Sequence, residues 1–420
     1  MPRRIAAKQS TTRAKLLPAA QGYRMPAEWE PHESTWLAWP HLRSDWPGKF
    51  EPIQWVYAEI VRNLARHERV DLIVNDASWE KRARAVLEKA GALSDNVCFH
   101  RWRTDRVWTR DSGCIFLTPP AERADSGLLA LHFQFNAWAK YPNYSLDEKV
   151  GERMAKAAGV RVVQPFSQKH RVVLEGGSID VNGCGTLLTT EECLLSTTQQ
   201  RNPPMDRAAY EQLFADYFGA QSVIWLESGI AGDDTHGHVD DITRFVAPGT
   251  VITMIEQNEQ SENYAALHAN LGRLKAARTP DGQKLEIVEI PMPRPVVFGG
   301  RQLPASYANF YIANGAVLAP VFNDPNDRIA LNTLAELFPT REIVPIYSGD
   351  LIWGFGALHC MTQQQPGKTE RQPPSAVPEA KPRYALCARA LTKQGNRGEL
   401  CSPGQPRAAV ATSDHLHFYP

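Results

Sequence analysis

Residues 52–74 read Pro52-Ile53-Gln54-Trp55-Val56-Tyr57-Ala58-Glu59-Ile60-Val61-Arg62-Asn63-Leu64-Ala65-Arg66-His67-Glu68-Arg69-Val70-Asp71-Leu72-Ile73-Val74. Two periods meet in this stretch. Ile53, Val56, Ile60 and Leu64 recur at helical spacing and Pro52 suits a first turn, which predicts a helix over 52–67. Val70-Asp71-Leu72-Ile73-Val74 then predicts a strand. Upstream, Thr35-Trp36-Leu37-Ala38-Trp39 closes on Pro40 as a further short strand. Downstream, Asp76 or Ser78 can cap a helix that runs to about Ala90 and stops at Gly91, before a strand over 97–102.

The alternation continues. Strands are expected at 114–117, 128–133, 161–164, 171–174, 178–181, 185–189, 222–227, 242–247, 250–255, 284–290, 310–319 and 342–346. Helices are expected at 146–158, 206–218, 262–275 and 327–338. Strands in twos and threes between single amphipathic helices mean an α/β or α+β chain with mixed sheets. No repeat of fixed period is visible, and no Pro- or Gly-rich linker divides residues 25–365. We therefore expect one domain over 22–366, a disordered basic extension over 1–21 and a disordered tail over 367–420. The tail begins where Pro373, Pro374, Pro378 and Pro382 sit among charged and small residues.

Composition excludes some classes. The 420 residues are 43% hydrophobic, enough for a substantial core. The 46 basic and 46 acidic residues cancel, so charge gives no reason to expect nucleic acid or an anionic membrane as partner. No apolar run reaches the roughly 20 residues of a membrane helix. The start carries Arg3, Arg4, Lys8, Arg13 and Lys15 and lacks the apolar core of a secretory signal; its Arg/Ser/Thr content leaves a transit-peptide reading open. Cysteines at 98, 114, 184, 193, 360, 387 and 401 are odd in number and form no C-x-x-C pair, which argues against a disulfide framework or a Cys-rich zinc site. Cytoplasm is the simplest compartment. A homo-oligomer is left open.

Five stretches carry chemistry-bearing residues, each with a plainer alternative. Trp108-Thr109-Arg110-Asp111-Ser112-Gly113 puts an acid just before a strand, or is a turn. Leu174-Glu175-Gly176-Gly177-Ser178 ends a strand on a carboxylate and two glycines that admit close backbone approach, or is again a turn. In Asp234-Thr235-His236-Gly237-His238-Val239-Asp240-Asp241, an extended backbone would set His236, His238 and Asp240 on one face. That triplet reads as a general base with a carboxylate, as a metal-ligand set or as a structural pair. Asn309 and Asn314 orient a substrate or form turns. Gly354-Phe355-Gly356-Ala357-Leu358-His359-Cys360 leads into the polar run Met361-Thr362-Gln363-Gln364-Gln365-Pro366, so Cys360 is a nucleophile or a buried small hydrophobe. Together they favour one chemistry. Carboxylates grip a planar cation, a thiolate attacks its central carbon, and a histidine protonates the departing amine and then activates water. A guanidinium fits that set better than a peptide, ester or phosphate.

These motifs, with Phe135-Asn136-Ala137-Trp138 and Thr189-Thr190-Glu191-Glu192-Cys193-Leu194-Leu195, resemble the agmatine deiminase family, close to the bacterial peptidyl-arginine deiminases among the guanidino-group-modifying enzymes. The resemblance runs from about Gly22 to Pro366 and keeps the motif order. It implies an α/β fold, a five-bladed α/β propeller of ββαβ-type modules around a central active-site pocket. It implies hydrolysis of agmatine to N-carbamoylputrescine and ammonia, a step of putrescine and polyamine biosynthesis, with no cofactor and no metal. Residue by residue it implies Cys360 as nucleophile, His238 as general acid/base, Glu175 as the carboxylate beside it, Asp111 and Asp240 as the guanidinium grip, and Trp108 and Asn309 as further substrate contacts. The expected partner is a small guanidine. Rival expectations are peptidyl-arginine or free arginine as substrate, and a metal-dependent hydrolase using His236, His238 and Asp240. Two departures from the family pattern stand out: Phe355 where a glycine is common, and a longer segment at 196–200.

Overall fold

The computed structural model describes residues 17–367. The expectations for residues 1–16 and 368–420 lie outside the described residues; residues 17–21 include a short 3-10 turn, Ala19–Gln21, closed by Gly22 in a left-handed conformation.

Mixed sheets and single helices make up this unit. The first sheet orders Gln363–Pro366, His32–Ala38, Arg69–Val74 and Val97–Arg101, with the first pair antiparallel and the others parallel. Four three-stranded sheets follow the same rule of one antiparallel and then one parallel pair. They are Ile115–Leu117, Leu129–Leu131 and Arg161–Val163; Asp180–Val181, Thr186–Thr190 and Ser222–Leu226; Thr243–Ala247, Thr250–Ile255 and Glu286–Pro291; and Tyr311–Ile312, Ala316–Val321 and Glu342–Tyr347. A parallel pair cannot be joined by a tight turn, and each of these is bridged by a crossover helix. The helices are Phe50–Leu64, Val150–Ala157, Arg207–Phe218, Glu262–Ala276 and Asp327–Leu337, with Ala77–Lys89 crossing the second parallel pair of the first sheet.

Local chemistry explains the boundaries. Asp76 caps Ala77–Lys89 by accepting from the Ser78 and Trp79 amides, and Gly91 follows with φ +63°. Asp206 and Ser261 cap two other crossovers in the same way. Phe50–Leu64 buries Phe50, Ile53, Tyr57, Ile60, Val61 and Leu64. Each such side chain contributes about 1.5–3 kcal/mol when fully withdrawn from water.

Three expectations need correction. The strand expected at 310–319 is a hairpin, because Ala313–Gly315 turns the chain back so that Ile312 faces Val317. Of residues 171–174 only Arg171 joins a strand, His170–Arg171, in a small hairpin with Phe166–Ser167, while Val173 makes an isolated bridge to Gln134. The glutamine run Gln363–Pro366, read only as a polar continuation, is a buried strand. Burying it requires partners for its amides: Trp36 Nε1–H donates to Gln365 Oε1 (3.1 Å) and Arg110 Nη1–H to Gln364 Oε1 (2.7 Å). Among the described residues no helix is long and apolar enough to cross a membrane.

Candidate active site

The strand that pairs antiparallel at the edge of each sheet is preceded by a residue of the candidate site. Asp111 lies on the helical turn Thr109–Ser112, before Ile115–Leu117. Glu175 introduces the turn Gly176–Ser178, before Asp180–Val181. His238 introduces the turn Val239–Asp241, which carries Asp240 and leads into Thr243–Ala247. Asn309 lies just ahead of Tyr311–Ile312, and Cys360 just ahead of Gln363–Pro366.

These residues converge. Asn309 Nδ2–H donates to Cys360 Sγ at 3.1 Å, and Asp240 Oδ2 lies 3.8 Å from the same sulfur. His238 Nδ1 is 3.9 Å from Asp111 Oδ1 and 4.0 Å from Asp240 Oδ1, while Nε2 is 3.9 Å from Glu175 Oε2. Trp138 Nε1–H and the Gly177 amide donate to the two oxygens of Asp111. Gly177 must be glycine: a Cβ there would lie 2.6 Å from His238 Nδ1 and 3.0 Å from oxygens of both aspartates. All seven expected site residues are buried: Trp108, Asp111, Glu175, His238, Asp240, Asn309 and Cys360. Trp108, Asp111 and Cys360 border a cavity of about 310 Å³, with Trp138, Phe355 and Gly356 among its other walls.

Sequence reasoning missed the residues behind this set. His359 ring nitrogens lie 2.7 Å from Asp240 Oδ2 and 2.8 Å from Glu28 Oε2. Glu28 also takes Arg110 (3.3 Å) and Arg244 (3.0 Å). Arg201 Nε–H donates to Glu175 Oε1 at 3.2 Å. Asp241 accepts from Asn309 Nδ2 at 2.9 Å. His359, Arg110 and Asp241 had a local signal, their places beside Cys360, Asp111 and Asp240; Glu28, Arg201 and Arg244 had none of that kind. Gln199, in the longer 196–200 segment, donates to the carbonyls of Trp138 (3.1 Å) and Asp234 (3.2 Å), so that segment braces the cavity wall.

The extended reading of 236–240 fails. His236 (φ +65°) and Gly237 (φ +94°) turn the chain, and His238 then enters a 3-10 turn. His236 consequently faces Ser196 (3.1 Å) and Glu192 (3.6 Å), away from His238, so His236, His238 and Asp240 do not form one ligand set. Among the described residues, metal-capable donors converge within 4.8 Å as Asp71, Cys98 and His100, as Glu175, Cys193 and His238, and as Asp240, Asp241 and Cys360. Phe355 takes the left-handed conformation that glycine adopts freely (φ +66°), and its ring lies under the Arg301 guanidinium, 4.3 Å away.

Burial and charge divide the labour. Burial raises the Cys360 thiol well above its usual range, and Asp240, Asp241 and Asp111 push it further. Burial likewise lifts Asp111 to about 6 despite His238, with Asp240 and Glu175 adding to the rise. Burial would lift Asp240 too, but the His359 hydrogen bond and charge, with the charges of His238 and Arg244, together outweigh it and hold the carboxyl below its usual value. Burial opposes ionisation of Glu175, yet Arg201 and His238 keep it at about 2. Burial depresses His238, but Asp111, Cys193 and Glu175 overcome this and raise it well above its ordinary value. Before substrate binds, the site thus holds a neutral thiol, a protonated histidine and carboxylates that lack a full complement of cations.

A buried thiol among carboxylates, with a histidine between them on a mixed α/β scaffold, fits a guanidino-group-modifying hydrolase. The sequence profile of the Porphyromonas-type peptidyl-arginine deiminases matches residues 24–366. The agmatine deiminase of Pseudomonas aeruginosa (strain LESB58) is 34% identical over 372 residues, covering 83% of this chain and 97% of that protein. The agmatine deiminase of Stutzerimonas stutzeri (strain A1501) is 34% identical over 376 residues, with the same coverage. Among solved structures, the Enterococcus faecalis agmatine deiminase superposes with a TM-score of 0.76 at 29% identity, covering 84% of this chain and 98% of that one. A cysteine-to-serine variant of the C. jejuni agmatine deiminase with substrate bound superposes with a TM-score of 0.72 at 30% identity, covering 83% and 97%. The chain belongs to the family of Porphyromonas-type peptidyl-arginine deiminases and agmatine deiminases.

Proposed function

We propose that this protein is an agmatine deiminase, which converts agmatine and water to N-carbamoylputrescine and ammonia through an adduct on Cys360. The observation that carries the reading is the buried meeting of the Cys360 sulfur with Asp240, Asp111 and His238 beside one cavity. The identity to agmatine deiminases supports the substrate. Asp111 and Asp240 receive the guanidinium nitrogens and hold the planar carbon near Sγ. The incoming positive charge neutralises the carboxylates that had held the thiol proton in place, so the thiol gives up its proton to solvent and the thiolate forms as substrate arrives. Sulfur attacks the guanidinium carbon. The carbon–nitrogen bond breaks as His238 gives its proton to the departing ammonia, leaving a thiouronium on Cys360. His238, now neutral, takes a proton from water; the hydroxyl adds to the same carbon, and the carbon–sulfur bond breaks as the hydroxyl proton passes to the departing sulfur, which releases the ureido product and restores the thiol. Glu175, fixed by Arg201, keeps the histidine oriented and stabilises its charged form.

In the same reading the five sheets are blades of a five-bladed α/β propeller around the pocket. Its support is the recurrence of a site residue ahead of the antiparallel edge strand in each sheet. A reducing cytoplasm remains our reading of its compartment, in keeping with the free thiols of the five described cysteines.

The test is ammonia release from agmatine, arginine and an arginine peptide, assayed side by side. Agmatine is expected to be the best substrate; agmatine as the poorest of the three overturns the reading. Asp111 adds a pH dependence. Its proton must leave for the cation to bind, so agmatine affinity is expected to fall up to about tenfold per unit as pH drops below about 6. Calorimetric titration of the Cys360→Ser protein across pH checks this, and an affinity flat from about pH 7 to 5 refutes it. The sign for stability is opposite. A carboxyl raised in the fold weakens it while ionised, and that penalty fades as pH falls through 6, so Asp111→Asn should resist urea better than the parent.

A further inference from the structure

The side chain of Asn309 is fully engaged before any substrate arrives. It is closed to solvent, and both ends of its amide are in use. Oδ1 accepts the His359 amide at 2.9 Å and the Cys360 amide at 3.4 Å. Nδ2 donates to Asp241 Oδ1 at 2.9 Å and to Cys360 Sγ at 3.1 Å. An asparagine amide has two hydrogens to give and two lone pairs to accept with, so nothing is left over for a ligand. Nor can the amide flip. A backbone N–H only donates, so the oxygen must face His359 and Cys360; turned over, it would set its oxygen against the Asp241 carboxyl and its hydrogens against two N–H groups. A donor is thereby fixed toward the sulfur.

The backbone around Asn309 is anchored as well. Arg244 Nη1–H donates to the carbonyls on either side of it, Ala308 O at 3.4 Å and Phe310 O at 3.0 Å. Ser306 Oγ–H donates to Asp241 O (2.7 Å) and accepts the Ala308 amide (3.1 Å), which ties this segment to the turn Val239–Asp241. That turn therefore addresses the nucleophile twice: Asp240 Oδ2 lies 3.8 Å from Sγ, and Asp241 holds the amide that donates to it. The reaction at Cys360 needs negative charge on sulfur twice, once to attack and once to leave. The carboxylates around the sulfur oppose that charge, whereas an N–H aimed at it favours the ionised form.

We propose that Asn309 is a catalytic residue that serves the nucleophile and not the substrate: its Nδ2–H stabilises the Cys360 thiolate on the way into and out of the adduct, and Asp241 is the positioning residue that aims it. This rests on Cys360 being the nucleophile of the reaction above. When the thiol has given its proton to solvent, the charge left on sulfur is met by this N–H. The hydrogen bond weakens as a sulfur lone pair becomes the carbon–sulfur bond. It strengthens again when that bond breaks and the electron pair returns to sulfur, until the hydroxyl proton restores the thiol.

The experiment alkylates the whole enzyme with iodoacetamide, a neutral reagent, at about pH 8 and follows the Cys360 peptide by mass spectrometry. The rate tracks the thiolate present, so Asn309→Ala should alkylate at Cys360 roughly tenfold more slowly than the parent. A merely structural role has the opposite sign, because a loosened pocket admits the reagent faster; an equal or faster rate overturns the proposal. Asn309→Ser, which leaves a hydroxyl for the stranded backbone amides but is too short to reach the sulfur, carries the same expectation if the alanine variant does not fold. Turnover of agmatine is the second readout. Its kcat should fall roughly tenfold with KM within a few-fold, whereas a loss confined to KM makes Asn309 a substrate contact and overturns the proposal. Alkylation does not depend on which guanidine is the substrate, so failure of agmatine leaves the first readout intact. Activity surviving in Cys360→Ser removes the nucleophile and this proposal together; an essential Cys360 with unchanged alkylation removes this proposal alone.

Discussion

Cys360→Ser is expected to lower agmatine turnover by roughly 10⁴-fold or more while leaving agmatine affinity within a few-fold. The argument is electrostatic. Asp240, Asp241 and Asp111 surround the sulfur, and burial leaves little water to screen them. A thiol can still ionise there once a guanidinium neutralises the carboxylates. A serine hydroxyl, whose proton is far less acidic, cannot. In the proposed mechanism binding depends on Asp111 and Asp240, which the exchange leaves in place: Asp240 is held by His359 and Asp111 by Trp138 and Gly177. Ammonia release measures the first quantity and calorimetric titration the second. Activity near that of the parent would mean that another group attacks the guanidinium.

Glu28→Gln carries the largest expected effect on stability, a loss of about 3–5 kcal/mol in urea unfolding. Glu28 stands outside the set that touches substrate, yet the buried charge network meets at it. Its Oε2 lies 3.0 Å from Arg244, 3.3 Å from Arg110 and 2.8 Å from His359, and its Oε1 accepts the Ile312 amide at 2.8 Å. Burial opposes the charge, but Arg244, His359 and Arg110 outweigh it and hold the carboxyl well below its usual range. A group depressed in this way adds stability above its unfolded pKa and loses it as pH falls through the folded one. Glutamine keeps the volume and removes the charge. Arg110 is left without a carboxylate partner in the dry interior, and Arg244 keeps only Asp180, at 3.0 Å. His359 would no longer be held between two carboxylates, so Asp240 should lose part of its support and the folded variant should bind agmatine less tightly. A loss below about 1 kcal/mol would show that the surrounding backbone carbonyls suffice for the two arginines.

The two variants separate what is legible in the chain from what is not. Cys360, His238, Glu175, Asp111 and Asp240 stand in short motifs whose residue types already name the chemistry, and the structure brings all five together. Glu28 has no such signal. It follows Pro26-Ala27 in an unremarkable stretch, and its partners lie 82 to 331 positions away. The strand Gln363–Pro366 was hidden for a related reason. Strand patterns reveal burial through apolar side chains, whereas Gln364 and Gln365 are buried here with partners that Arg110 and Trp36 supply from other elements.

By itself the sequence determined the β-α-β alternation and the capped crossover helices, and it pointed to Cys360, His238, Glu175, Asp111 and Asp240 as the candidate residues. These depend on residue type and on spacings within one or two turns, where periodicity and side-chain chemistry act locally. Only the tertiary structure decided that His236 turns away from His238, that the glutamine strand closes the first sheet, and that Glu28 holds two arginines and His359 behind Asp240. Each of these depends on which distant charge or donor arrives to balance a group withdrawn from water, and that pairing exists only once the sheets have come together.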